Sequence, residues 1–157
     1  DFINDSLKSI LGRFLFSCFT GLRISDIKAI SKENIVGDIL IFFAQKTGKL
    51  QRIQLNQSAL SFVGDDTIFM GDYSEPHINL ELKTIAKSCG IKKHVTFHVA
   101  RHTFATNFLI CGGRVEVLQK LLGHSNIRET MDYVHIVESI VDQQINNLDE
   151  ILKVNTQ

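Results

Sequence analysis

The chain has 157 residues, of which 44% are hydrophobic, enough to bury the core of one domain. Seventeen Lys and Arg residues balance seventeen Asp and Glu residues, so any basic surface must be a local patch. No apolar run approaches the ~20 residues of a membrane span, and no secretory signal opens the chain, so we expect no membrane partner. The three cysteines form neither a metal-ligand pattern nor a disulfide framework, which indicates a reducing cytoplasm.

Taken in chain order, the elements predicted for the first half are two helices, a β-hairpin and a single helical turn. Both helices carry apolar residues at helical spacing, and Gly21 separates them as a stop signal. The hairpin joins the β-rich runs "ILIFF" and "LQRIQL" through the glycine-containing turn "KTGK". These elements are expected at about 7–18, 23–30, 39–43 with 50–55, and 58–63. A loop is expected around Gly64–Asp66.

The second half predicts four helices. Pro76 suits the first turn of a helix that continues to Gly90. Further helices are expected at about 98–110, 115–122 and from Ile136 onward, and the glycines at 112, 113 and 123 punctuate them. The last of these helices is amphipathic and therefore needs a partner surface. The fold class is mainly α with a small antiparallel β-hairpin or sheet, that is, α+β.

Four stretches carry polar residues that packing does not explain. They are "TGLRISD" with Arg23 and Asp26, "QKTGK" with Lys46 and Lys49, "HVARHTFAT" with His98 and Arg101, and "GHSNIRETMDY" with His124 and Tyr133. Two arginines, a lysine, two histidines and a tyrosine are the side chains that phosphoryl transfer to a tyrosine requires.

Each residue type suits one part of that reaction. Guanidinium groups bind phosphate oxygens bidentately and stay charged at working pH, and two of them can replace a metal ion as an electrostatic clamp. A phenol with a pKa of ~10 needs a base or a cationic field before it attacks. An imidazole titrates near neutrality and can take the proton. A flexible lysine can protonate the leaving alkoxide.

At this point the chain resembles the tyrosine recombinases, the phage-type integrases, from about Phe14 to His135. The matching motifs are "TGLRISDI", "QKTGK", "HVARHTFAT", "LLGH" and a tyrosine nine residues after that histidine. Each motif alone is weak because it occurs by chance in many proteins. All of them in this order and at this spacing are specific.

The resemblance assigns the reacting groups. Tyr133 corresponds to the nucleophile that forms a 3′-phosphotyrosyl link with DNA and frees a 5′-hydroxyl. Lys46 corresponds to the general acid for the leaving 5′ oxygen, and it matches the family position better than Lys49 does. His98 corresponds to the residue that transfers protons around the tyrosine.

The resemblance also assigns the groups that hold the phosphate. Arg23 and Arg101 correspond to the pair that binds the scissile phosphate, and His124 to a hydrogen-bond donor to it. Asp26 corresponds to an acidic residue that supports the site without reacting. With Arg23 and Arg101, Lys49 is expected to contact DNA.

On the scale of the whole protein, the resemblance implies a site-specific recombinase of a mobile element acting on double-stranded DNA. It implies no metal and no other cofactor, and a tetramer on DNA whose carboxy-terminal helices dock on neighbouring subunits. It further implies that residues 1–157 are the catalytic domain and that the amino-terminal DNA-clamping domain of the family is absent from them.

Alternatives remain for the function and for single residues. A type IB topoisomerase uses the same chemistry to relax DNA, and a non-catalytic DNA-binding module could keep the fold. The "LLGH" spacing favours the integrases, and no catalytic position is lost. His98 and His102 could bind a metal, but the glutamate of an H-E-x-x-H site is missing, so His102 is expected to pack or cap. Tyr73 is expected at the surface.

Overall fold

The computed structural model describes residues 5–63, 69 and 71–152, with side chains as far as Leu148. The predicted loop around Gly64–Asp66 lies outside the described residues. The helices are α1 Asp5–Thr20, α2 Ile24–Ala29, a 3₁₀ turn at Lys32–Asn34, α3 Gln57–Leu60, α4 Glu75–Ser88, α5 Phe97–Ile110, α6 Val115–Leu122 and α7 Arg128–Leu152. The strands are β1 Ile35–Val36, β2 Ile39–Phe43 and β3 Leu50–Gln54.

The predicted hairpin is present, and it belongs to an antiparallel sheet in the order β1-β2-β3. Leu40 pairs with Ile53, and both side chains are buried, whereas the alternate residues of β2 face outward. The sequence did not predict β1 because two residues are too short to show a period of two.

The hydrophobic core forms around α1, which packs against α3, α4 and α5. Ile10 and Phe16 of α1 are fully buried, together with Leu40 of the sheet and Ile78 of α4. A smaller apolar cluster joins α5, α6 and α7 on the other side of α5. The side chains predicted to be catalytic lie where these two clusters meet the β2–β3 hairpin.

Gly21 ends α1 as predicted, and its conformation requires glycine. Its φ is +71°, and a Cβ atom there would lie 2.5 Å from the ring of Phe104. This close approach brings α1 and α5 together at the point where Arg101 projects.

The last helix begins eight residues before the predicted start, at Arg128, so Tyr133 lies inside it. The side chain of Asn126 accepts a hydrogen bond from the N–H of Arg128 at 3.0 Å and satisfies one of the free donors of the first turn. A hydrogen bond of this kind leaves no periodic pattern in the sequence, so periodicity placed the start too late. None of the described helices is long and apolar enough to span a membrane.

Candidate active site

The structure brings all six side chains predicted to be catalytic into one cavity of about 370 Å³. The six are Arg23, Lys46, His98, Arg101, His124 and Tyr133. They come from the start of α2, the β2–β3 turn, α5, the α6–α7 connection and α7. The lining also includes His102, Glu129, Asp132 and Ile136.

Arg101 is the most constrained of these side chains. It is 3% exposed, and its guanidinium donates hydrogen bonds to the carbonyl of Gly21 at 2.7 Å and to the carbonyl of Leu122. Burial, followed by the nearby charge of Arg23, lowers the pKa of Arg101 to about 10, so it stays charged at neutral pH. Two backbone carbonyls from different elements therefore hold a cation rigidly at the cavity wall, with further N–H donors left for a ligand.

Arg23 supplies the second cation of the cavity. It occupies the residue before α2, is half-buried, and makes no capping hydrogen bond through its side chain. Its charge acts unfavourably on Arg101 across the cavity. Two like charges held this close gain most from an anion placed between them, as a phosphate group would be.

Asp26 connects α2 to the turn that carries Lys46. Its carboxylate is 2% exposed and accepts a hydrogen bond at 2.8 Å from the backbone N–H of Gln45, the residue next to Lys46. A buried carboxylate needs such a partner, and the contact fixes the hairpin relative to α2. The geometry fits the supporting role predicted for this residue.

The turn itself separates Lys46 from Lys49. Lys46 is exposed but lines the cavity, and its charge helps to lower the pKa of His124. Lys49 instead lines a neighbouring groove of about 400 Å³, together with Lys120 and Gly123. His124 lies between the two spaces. Lys46 is thus the hairpin lysine that shares the cavity with the other five residues, whereas Lys49 lines the groove beside it.

His124 is held by the first turn of α7. Its Nδ1 lies 2.9 Å from the hydroxyl of Thr130, which is fully buried. This contact leaves Nε2 for another partner. Burial is the largest cause that lowers the pKa of His124, followed by the charge of Arg101, so the ring is neutral at pH 7.

His102, which the sequence predicts to pack or cap, packs beside the tyrosine and lines the cavity. Its ring contacts that of Tyr133 with centroids 5.5 Å apart and that of His98 edge-on with centroids 4.4 Å apart. Burial lowers the pKa of both histidines, and Arg101 lowers it further. Both are neutral at pH 7 and able to accept a proton. The spacing of four residues from His98, which places both on one helix face, could have indicated this position.

Tyr133 is buried, as Arg101 is. It is 5% exposed and packs with Ala105, Leu118 and Leu122. Burial raises the pKa of its phenol, and the charge of Arg101 opposes that shift. The phenol is therefore protonated at neutral pH and needs a base, which the neighbouring imidazoles can provide.

Glu129 and Asp132 were not predicted from the sequence. Both are exposed on α7 at the rim of the cavity. Asp132 contributes to the raised pKa of Tyr133, and Glu129 favours the protonated form of His124. Among the described residues, no group of three or more His, Cys, Asp or Glu side chains is placed to hold a metal ion.

Solved structures define the fold class. The crystal structure of XerA recombinase matches with a TM-score of 0.71 at 22% identity, covering 92% of this chain and 63% of that one. The catalytic domain of bacteriophage HP1 integrase matches with a TM-score of 0.62 at 20% identity, covering 98% of this chain and 97% of that one. The predicted tyrosine recombinase catalytic-domain fold is confirmed.

Sequence comparison then identifies the family. The phage integrase family matches residues 6–139, and the chain belongs to it. A tyrosine recombinase of Pseudothermotoga lettingae is 31% identical over 145 residues, which cover 83% of this chain and 50% of that protein. An integrase of Escherichia phage P2 is 28% identical over 129 residues, covering 81% of this chain and 38% of that protein. The chain thus spans half or less of the length of these two relatives.

Proposed function

We propose that this chain is the catalytic part of a site-specific DNA recombinase or integrase of a mobile genetic element. It cuts and rejoins strands of double-stranded DNA through a 3′-phosphotyrosine. The observation that supports this most directly is the cavity itself, which two guanidiniums, a lysine and three imidazoles line together with a buried tyrosine.

In the proposed cleavage step, the Tyr133 oxygen attacks the scissile phosphorus and the bond to the 5′ oxygen breaks. The phenol proton passes to an imidazole of the same cavity, either His102, whose ring contacts the tyrosine, or His98, and Lys46 protonates the leaving 5′ oxygen. Arg23, Arg101 and His124 stabilise the charge that develops on the non-bridging oxygens. A 5′-hydroxyl from another strand reverses these steps, and the phosphotyrosine bond conserves the energy for rejoining.

Two alternative functions use the same fold. A type IB topoisomerase would relax DNA by this chemistry, and a DNA-binding module would keep the fold without the reaction. The names of the relatives, integrase and tyrosine recombinase, favour strand exchange. The complete set of reactive side chains in one cavity favours catalysis over a binding module.

The proposed assembly is a tetramer on DNA joined by the carboxy-terminal part of α7. Val141, Ile145 and Leu148 lie three and four residues apart on one helix face and are 45%, 58% and 53% exposed. An apolar face of this kind gains most by docking on another surface. A neighbouring subunit is the proposed surface.

A DNA-clamping unit outside residues 1–157 is also proposed, since the relatives are at least twice as long as their matched parts. As an enzyme that acts on DNA and whose described cysteines are all free thiols, the protein is proposed to work in the cytoplasm.

A covalent-trapping assay tests the proposed function. The chain is incubated with a nicked suicide duplex, from which the short cleaved strand diffuses away, and a protein–DNA adduct is sought on a denaturing gel. We expect an adduct whose yield EDTA does not change, because two arginines and a lysine supply the positive charge that a metal would otherwise give. Loss of the adduct in EDTA, restored by added metal, would contradict this mechanism. An intact supercoiled plasmid is used in a separate assay to distinguish the two activities. An enzyme that only relaxes DNA removes the supercoils without joining the plasmid to another duplex.

A further inference from the structure

A third concave surface, apart from the active cavity and the groove that Lys49 lines, lies where α4 ends and the chain turns toward α5. It is a shallow groove of about 580 Å³, which we name the α4–α5 groove. Its lining residues are Lys83, Ala86, Lys87, Gly90, Ile91, Lys92, Lys93, His94 and Val95. The motifs that indicated the active site include none of these residues.

The charge of the α4–α5 groove differs sharply from that of the chain. The formal net charge of the chain is zero, yet the lining holds four lysines and a histidine. Among the described residues, the lining includes no carboxylate, and none of the four lysines takes part in an ion pair. This local excess of positive charge is what attracts a polyanion.

The position of the groove relates it to the active cavity. Val95 lines the groove and His98 lines the cavity, and these residues are three apart, so their Cα atoms lie within about 11 Å of each other. The connection is fixed, because the N–H of Phe97 donates a hydrogen bond at 2.8 Å to the side chain of Asn79 on α4. A DNA strand advances ~3.4 Å per nucleotide along the helix axis, so the distance between these two Cα atoms corresponds to about three nucleotides at most.

We propose that the α4–α5 groove binds the sugar–phosphate backbone of duplex DNA a few nucleotides from the scissile phosphate. The proposal rests on the proposed function, which places a phosphate in the active cavity. Ammonium groups on flexible stems bind phosphates as point charges without reading bases. The groove therefore contributes affinity and orientation, and Ala86, Ile91 and Val95 give an apolar floor against which deoxyribose can lie.

The salt dependence of DNA binding tests the groove. The slope of log affinity against log salt falls by about 0.9 for each phosphate of duplex DNA that the protein no longer neutralises. With a short duplex of mixed sequence as the probe, the double substitution Lys92→Gln with Lys93→Gln should make the slope shallower by about 2. Adding Lys83→Gln and Lys87→Gln should lower it by about 4 in total. A matched pair, Lys8→Gln with Lys32→Gln, removes two lysines that line neither the groove nor the active cavity and should leave the slope near wild type.

The outcomes separate this proposal from the proposed function. A slope unchanged in the groove variants, or lowered equally in the control pair, would overturn the groove as a DNA contact. If the slope is unchanged and self-association without DNA is lost, the groove binds protein and the proposal fails. Adduct formation by the wild type is scored separately with suicide DNA, so a failed reaction and a failed groove give different results. At saturating DNA, the groove variants should still form the adduct.

Discussion

The two ends of α7 have opposite surroundings, although they belong to one continuous helix. At the front, Thr130 and Tyr133 are buried against α5 and α6, and the hydroxyl of Thr130 holds His124. At the rear, from Val141 to Leu148, every described side chain is exposed, including three apolar ones on one face. A short helical interval therefore separates the proposed nucleophile from the proposed assembly surface. Because a helix is stiff, docking of the rear can influence the position of the tyrosine.

The largest expected effect belongs to the front of the helix. Tyr133→Phe removes one hydroxyl and little volume, so the buried packing should persist while the nucleophile is lost. We expect no detectable covalent adduct with suicide DNA and near wild-type DNA binding, as measured by gel trapping and by titration. Assembly on DNA should also persist, because the rear face is unchanged. Adducts formed by the Phe variant would show that another residue attacks.

The next effect concerns a group outside the helix. Lys46→Ala should slow cleavage by about 10²–10⁴-fold, the usual contribution of a general acid, while DNA binding changes little. A substrate with sulfur in place of the leaving 5′ oxygen should restore the rate, because a thiolate leaves without a proton. Lys49→Ala is the matched control from the same turn and should show neither the defect nor the rescue.

An unrescued Lys46→Ala variant would mean that Lys46 positions the phosphate and does not donate the proton. Rescue of Lys49→Ala in its place would show that the two hairpin lysines have exchanged roles. The first result would change the role of Lys46, and only the second would change which hairpin lysine takes part in the reaction.

These cases also show what the sequence could predict. The helices and the hairpin followed from apolar spacing and turn residues, and six of the ten residues that line the cavity followed from the motifs. The start of α7 was not predicted, because the hydrogen bond from the Arg128 N–H to the Asn126 side chain leaves no periodic pattern in the sequence. Glu129 and Asp132 were missed since single exposed carboxylates look like ordinary surface residues, and their place at the rim depends on how α7 packs against α5. The lysines of the α4–α5 groove lie close together in the sequence, between residues 83 and 93, but they resemble ordinary surface lysines at the end of a helix, and only the fold shows that they line one groove.

The rear of the helix should affect assembly more than chemistry. Deleting residues 136–157 should leave a folded domain that forms adducts weakly and does not assemble into higher-order complexes on DNA. The described side chains removed beyond Ile140 are all exposed, so little core packing disappears with them. Circular dichroism reports the fold, and native gels of DNA complexes report the assembly.

Paired point substitutions sharpen the same test without shortening the chain. The pair Ile145→Ser with Leu148→Ser removes two apolar groups from the exposed apolar face. The control pair Gln143→Ser with Asn147→Ser changes the opposite face and has a similar cost in helix propensity. Only the first pair should weaken assembly. Unfolding on truncation, or complexes that form equally in all variants, would favour a tail that serves its own domain.

The smallest effect should come from the hydrogen bond that ties the front of α7 to the cavity. Thr130→Val keeps the shape of a fully buried side chain but removes the hydroxyl that lies 2.9 Å from Nδ1 of His124. One hydrogen bond contributes about 1 kcal/mol, so cleavage should slow by roughly fivefold if the bond orients the imidazole. Thr130→Ser keeps the hydroxyl and should restore most of the rate, which a merely structural role would not require. Thr103→Val is the matched control, because that hydroxyl donates to its own helix carbonyl, Val99, outside the cavity. A Thr130→Val variant that cleaves at the wild-type rate would show that His124 is oriented without α7. The front of the helix would then contribute the tyrosine alone.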